Sequence, residues 1–141
     1  MIIWHVPENG TRENLYGALL VNALRARGVE VRELPYRHFF AWPALSERPD
    51  AIHFEFVDPY ILPHVKSWGL VRALLKGVLF LVQCAALRLA GVRLCWTIHD
   101  IGTHEKRLWR IEWVFTTLFA RLAHGFLTHT AYAKGRAVAV F

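Results

Sequence analysis

Apolar residues recur along this chain in two alternating rhythms. Residues 2–6 form a short apolar run that stops before Pro7, and residues 14–27 place Leu15, Leu19, Leu20 and Leu24 at helical spacing, closing on Gly28. Residues 29–34 alternate apolar with charged positions, as a half-exposed strand does, and residues 35–49, rich in proline and aromatics, read as a loop. Residues 51–56 predict a third strand, ending among Glu55 and Asp58 ahead of Pro59. From 61 to 90 the pattern is helical and apolar nearly all round. Lys66, Arg72, Lys76, Gln83 and Arg88 interrupt it, Gly69 and Gly77 weaken it, and Gly91 ends it. A strand over 92–98, a helix over 104–123, a strand over 126–129 and a helix over 131–141 complete the reading. The last helix has no stop signal, which predicts that a chain of this kind continues.

Strands separated by helices imply a parallel sheet with right-handed crossovers. The expectation is an α/β fold, a Rossmann-like doubly wound sheet of about five strands in the order 3-2-1-4-5, with residues 1–141 forming one domain.

Composition sharpens this in two ways. A hydrophobic content of 55% and a mean hydropathy of +0.26 are high for a soluble domain, so some apolar surface is expected to meet a partner or a membrane. The net charge of +6 is also unevenly spread. Residues 1–60 hold six Lys/Arg against eight Asp/Glu, a balance of −2, while residues 61–141 hold eleven against three, a balance of +8. A basic, aromatic-rich second half suits an anionic lipid surface or a phosphorylated substrate. No nucleic-acid-binding signature accompanies it, and nucleic acid is not expected as a partner. Cys84 and Cys95 lie in apolar runs without metal spacing, and the N-terminus lacks the basic start of a signal peptide; both point to reduced thiols and a cytoplasmic location.

The densest chemistry lies in residues 96–105, where the strand-favouring run Trp96-Thr97-Ile98 stops at His99 and Asp100 and is followed by His104 and Glu105. In open α/β sheets ligands bind beyond the carboxyl ends of the strands, which places His99 and Asp100 for contact with substrate. Gly102 suits a tight turn, and Thr103 suits the cap of a helix starting near His104, where Glu105 also favours the positive end of the helix dipole. Several familiar sites are excluded. Residues 7–14 hold one glycine and two glutamates where a dinucleotide fold needs G-x-G-x-x-G, and carboxylates there repel a pyrophosphate. There is no Walker loop and no G-x-S-x-G elbow. His53, Glu55, His99, Asp100, His104 and Glu105 stand near one another in the expected topology, but their spacing matches no standard zinc motif, so neither a metal nor another cofactor is assigned.

These residues carry a resemblance. Trp96-Thr97-Ile98-His99-Asp100 with His104-Glu105 resembles the W-T-x-H-N … P-H-E segment of the N-terminal half of GT-B glycosyltransferases of the GT4-like group. Asn14-Leu15-Tyr16 is similar to that family's N-P-Y, Asp50-Ala51-Ile52-His53-Phe54 to its D-x-x-H-x strand, and Leu127-Thr128-His129-Thr130 to its strand ending in H-S or H-T. The motifs span nearly the whole chain in the family's order, with Asp100 in place of Asn, Thr103 in place of Pro and Leu15 in place of Pro. The resemblance implies the acceptor-side half of an enzyme that moves a sugar from a nucleotide-sugar donor to a lipid-linked or polysaccharide acceptor. The donor would be held by a C-terminal domain absent from these residues, and the chain alone is expected to be inactive. His99 would lie at the reacting sugar and Asp100 would act as general base if the reaction inverts, with Asn14, Tyr16, His53, His104 and Glu105 lining the substrate cleft.

The apolar 61–90 segment admits two readings: a helix buried between the sheet and its neighbours, or one partly sunk in a membrane interface. Trp68, and Trp109 with Trp113 one turn apart beside Lys106 and Arg110, form the expected contact with the inner face of a cytoplasmic membrane. Two alternatives to sugar transfer stay open. One is a non-catalytic module of degenerate glycosyltransferase origin that binds a membrane or a partner. The other is an unrelated α/β enzyme of flavodoxin or receiver type, although His5 and His53 stand where a receiver needs acidic residues.

Overall fold

The computed structural model describes residues 1–6, 15–62, 69–99 and 108–140. Among the described residues the chain forms five strands and six helices. The strands are β1 (Ile2–Val6), β2 (Glu30–Glu33), β3 (Ala51–Phe54), β4 (Arg93–Ile98) and β5 (Gly125–Thr128). The helices are α1 (Leu15–Arg25), α2 (Ala41–Glu47), α3 (Asp58–Ile61), α4 (Gly69–Leu89), α5 (Trp109–Leu122) and α6 (Ala131–Val140). All strand pairings are parallel, and the fold is the expected Rossmann-like α/β sheet.

The strand order is β2-β1-β3-β4-β5, not 3-2-1-4-5. The reason lies in β2, whose Glu30, Arg32 and Glu33 are exposed and leave only Val31 buried. A strand charged on so many positions is stable at an edge and costly in the middle. All four residues of β3 are buried, and it takes the central place beside β1.

Alternation along the strands divides the sheet into two faces. Trp4, Val6, Ile52, Phe54, Leu94, Trp96 and Ile98 project to one, where α2 to α5 cover them. Phe54 sits at its centre, with the rings of Phe40, Tyr60, Phe80 and Phe119 edge-on at centroid distances of 5.5, 5.8, 5.7 and 5.6 Å. Such edge-to-face pairs add to the stabilisation from burial alone. The other face carries His5, His53, Glu55, Cys95 and Thr97, and α1 lies over part of it: a Cβ on Gly17 would meet Glu55 Oε1 at 2.6 Å.

Gly28 and Gly91 follow α1 and α4 with φ of +76° and +86°, as helix-ending glycines do. The expected 35–49 loop holds α2, which accommodates Pro43 in its first turn. Of the expected 61–90 helix, α4 covers Gly69–Leu89; Ile61 ends α3 instead, and residues 63–68 lie outside the described region.

The polar residues that interrupt α4 belong to its neighbours. Gln83 Oε1 accepts from the backbone N–H groups of Phe40 and Ala41 at 2.8 and 3.1 Å, satisfying donors at the start of α2, while its Nε2 donates to the His38 carbonyl. Lys76 Nζ donates to the Pro59 and Leu62 carbonyls at the end of α3, and Arg88 donates to the Leu122 carbonyl at the end of α5. Gly77 lets α5 approach: a Cβ there would lie 2.6 Å from the Phe115 ring.

Candidate functional site

At the carboxyl ends of β3, β4 and β5 four rings converge. His99 follows β4, His129 follows β5, Phe56 follows β3, and Tyr16 comes from the first turn of α1. His129 Nε2 and His99 Nδ1 are hydrogen-bonded at 2.8 Å, the tautomers deciding which donates. The His99 imidazole lies flat on Phe56, with centroids 4.4 Å apart and planes 3° from parallel. Tyr16 stands edge-on to both histidines, 4.1 Å from His129 and 5.8 Å from His99. His129 is exposed, and Tyr16, Phe56 and His99 are partly so. The cluster therefore offers a phenol, the exposed His129 imidazole and flat aromatic surface at the mouth of the sheet, with the ring nitrogens of His99 turned to His129 and to the interior.

A second, buried row lies directly beneath it. His5 and His53 occupy paired positions of β1 and β3, their rings stack with centroids 5.1 Å apart, and their Nδ1 atoms are 2.9 Å apart. His53 Nε2 is 2.8 Å from Thr97 Oγ1. Both ring nitrogens of His53 are thus occupied, and two arrangements of neutral rings satisfy the geometry: either imidazole N–H donates along the row while Thr97 accepts or donates in turn. Burial, with the neighbouring His5 and His99, pushes the His53 pKa down to about 3; burial also lowers that of His5, against the opposing pull of Glu33. His53 is a neutral, internally bonded group at neutral pH and does not reach the surface cluster. Glu55, fully buried, continues this face beside Gly17.

Of the residues singled out in the sequence, the structure brings Tyr16 and His99 together and sets His53 below them. Asn14, Asp100, His104, Glu105, Trp68 and Lys106 lie outside the described residues, as do Gly102 and Thr103. Trp109, Arg110 and Trp113 are exposed at the start of α5, with the Arg110 guanidinium 5.5 Å from the Trp109 ring centroid. Phe56, His129 and His5 were not among the expected site residues. His129 had a visible signal, a histidine one position beyond a strand end, as at His99; Phe56 and His5 had none, since only the register places them. Among the described residues no three His, Cys, Asp or Glu side chains stand together as a metal site. Both cysteines are free, and burial raises their pKa values, which leaves them poor nucleophiles.

No protein-family model matches the chain, and no curated protein matches it in sequence.

Proposed function

We propose that this domain is the acceptor-side half of a glycosyltransferase, moving a sugar from a nucleotide-sugar donor held by a separate domain to a lipid-linked or polysaccharide acceptor. One observation carries the reading: three sequence motifs that resemble the GT4-like pattern, far apart in the chain, converge in space. Tyr16 of the N-x-Y element, His99 of W-T-x-H and His129 of the H-T strand end form one contacting cluster. A fourth motif residue, His53, lies in the row below.

The chemistry suits a sugar. A pyranose presents hydroxyls around its rim and apolar C–H faces, and recognition needs hydrogen-bonding groups set among flat aromatic surfaces. Tyr16 and His129 supply the first, while Phe56 beneath its ring and the bond to His129 hold His99 in place. Because the two imidazoles are hydrogen-bonded, a change in charge on one alters the hydrogen bonding of the other near a departing diphosphate. Asp100, next in the chain, takes the acceptor hydroxyl proton if the reaction inverts.

The test is a sugar-transfer assay in membrane fractions with a panel of UDP- and GDP-sugars, run on this chain alone and combined with a candidate donor-binding domain. Transfer only in the combined arrangement, reduced about 100-fold or more in both His99→Ala and His129→Ala, supports the reading. Transfer indifferent to both variants, or absent in both arrangements with the fold intact, removes it.

A further inference from the structure

We infer that the outer face of the α2–α4–α5 layer docks on the surface of an anionic lipid bilayer. The inference rests on the helical layer alone and stands whether or not the strand-end cluster transfers sugar.

Helix α4 turns Ala73, Gly77, Phe80, Cys84 and Leu87 to the core. Its opposite side is also apolar, and Val71, Leu74, Leu75, Val78 and Val82 are all exposed. Only a third of its most apolar stretch is buried. The neighbouring helices extend this surface. On α5, Trp109, Trp113, Val114 and Leu118 are exposed, and on the α2 side Phe39 and Trp42 are, Trp42 by 83%. Three exposed tryptophans thus flank one apolar helix. Tryptophan favours the bilayer interface, where its ring is buried while its N–H stays hydrated.

Charge selects the occupant. Between Asp58 and Asp100 the chain has no carboxylate, and the one acidic residue of α5, Glu112, is buried. Arg72, Arg110 and Arg121 are exposed on α4 and α5. A second copy presenting the same face would set arginine against arginine, whereas phosphate headgroups complement them. Although α4 has the length to cross a bilayer, its inner side is the core of the domain, and crossing would strip Phe80, Cys84 and Leu87 from their partners. The helix therefore lies along the interface. Helices of a parallel α/β fold run against the strands, so the starts of α4 and α5 lie at the strand carboxyl ends. Gly69 and Leu108, at those starts, are neighbours: a Cβ on Gly69 would lie 3.9 Å from Leu108 Cδ1. Trp109 and Trp113, at the start of α5, therefore lie toward the end of the domain that carries His99 and His129.

The experiment is flotation of the purified chain with phosphatidylcholine vesicles, with and without phosphatidylglycerol. The expected result is binding to the anionic vesicles, weakened by high salt. Val78→Gln/Val82→Gln and Trp109→Ala/Trp113→Ala, all at exposed positions, each weaken it by about tenfold or more with the circular dichroism unchanged. Brominated acyl chains quench the tryptophan fluorescence of the native chain, and quench the Trp109→Ala/Trp113→Ala variant less. Binding that ignores phosphatidylglycerol overturns the inference, as does retention in the membrane after alkaline carbonate extraction. A lipid-free dimer that dissociates in Val78→Gln/Val82→Gln, with no vesicle binding, overturns it in favour of self-association.

Discussion

His99 and His129, thirty positions apart in the sequence, meet at 2.8 Å because β4 and β5 are in parallel register, with Ile98 opposite Thr128. Each histidine extends its strand by one residue, so the sheet holds the pair together. Groups that act as a unit lose function non-additively. In the sugar-transfer assay His129→Ala is expected to cost about as much as His99→Ala, and the double variant little more than either. Additive losses would show that the two act separately.

The buried row makes stability depend on acid. His53 has its pKa pushed down to about 3 in the folded chain, against an ordinary 6.5. The unfolded chain therefore takes up a proton first as pH falls. Stability from this group is intact above about pH 6.5 and is lost through the window down to pH 3, at about 1.4 kcal/mol per unit. His5 acts in the same direction. Urea unfolding across this range should show a flatter profile in His53→Gln, and an equally steep profile in the variant would contradict the assignment.

Glycines in two helices should respond in opposite ways to alanine. At Gly77 the new methyl meets the ring of buried Phe115 at 2.6 Å, and overpacking of about 1–3 kcal/mol outweighs the gain in helix propensity of up to about 1 kcal/mol. At Gly135 of α6 nothing lies within 4 Å, so the propensity gain stands alone. Thermal unfolding should fall for Gly77→Ala and rise for Gly135→Ala.

Gln83→Leu keeps the size of the side chain and removes the acceptor for Phe40 and Ala41. Two N–H groups at the start of α2 are then left without it, at a cost of about 1–3 kcal/mol. A denaturation midpoint unchanged by this variant would mean that water replaces the amide.

The sequence announced the sheet and its helices because β-branched runs and 3.6-residue repeats are local patterns. Strand order is not local: it depended on which strand tolerates an edge, and the charges of β2 that decide it were visible but outweighed by chain order. Helix α2 was hidden because Pro43 falls in its first turn, where a missing N–H costs nothing. The site was half legible. Histidines at strand ends are a pattern a sequence displays, and His99 was read from it. Phe56 under His99, and His5 beside His53, depend on register across β1, β3 and β4, which no single segment encodes.

Helix α4 is apolar on both its inward and outward sides, so hydrophobicity alone does not fix its rotation about its own axis. Its orientation is written instead in the few positions that are not large and apolar. Gln83 must reach α2, Lys76 the end of α3 and Arg88 the end of α5, while Gly77 must face Phe115. These side chains act as azimuthal pins. They leave a greasy outer surface compatible with one unique fold, where an amphipathic helix would have had to give that surface up.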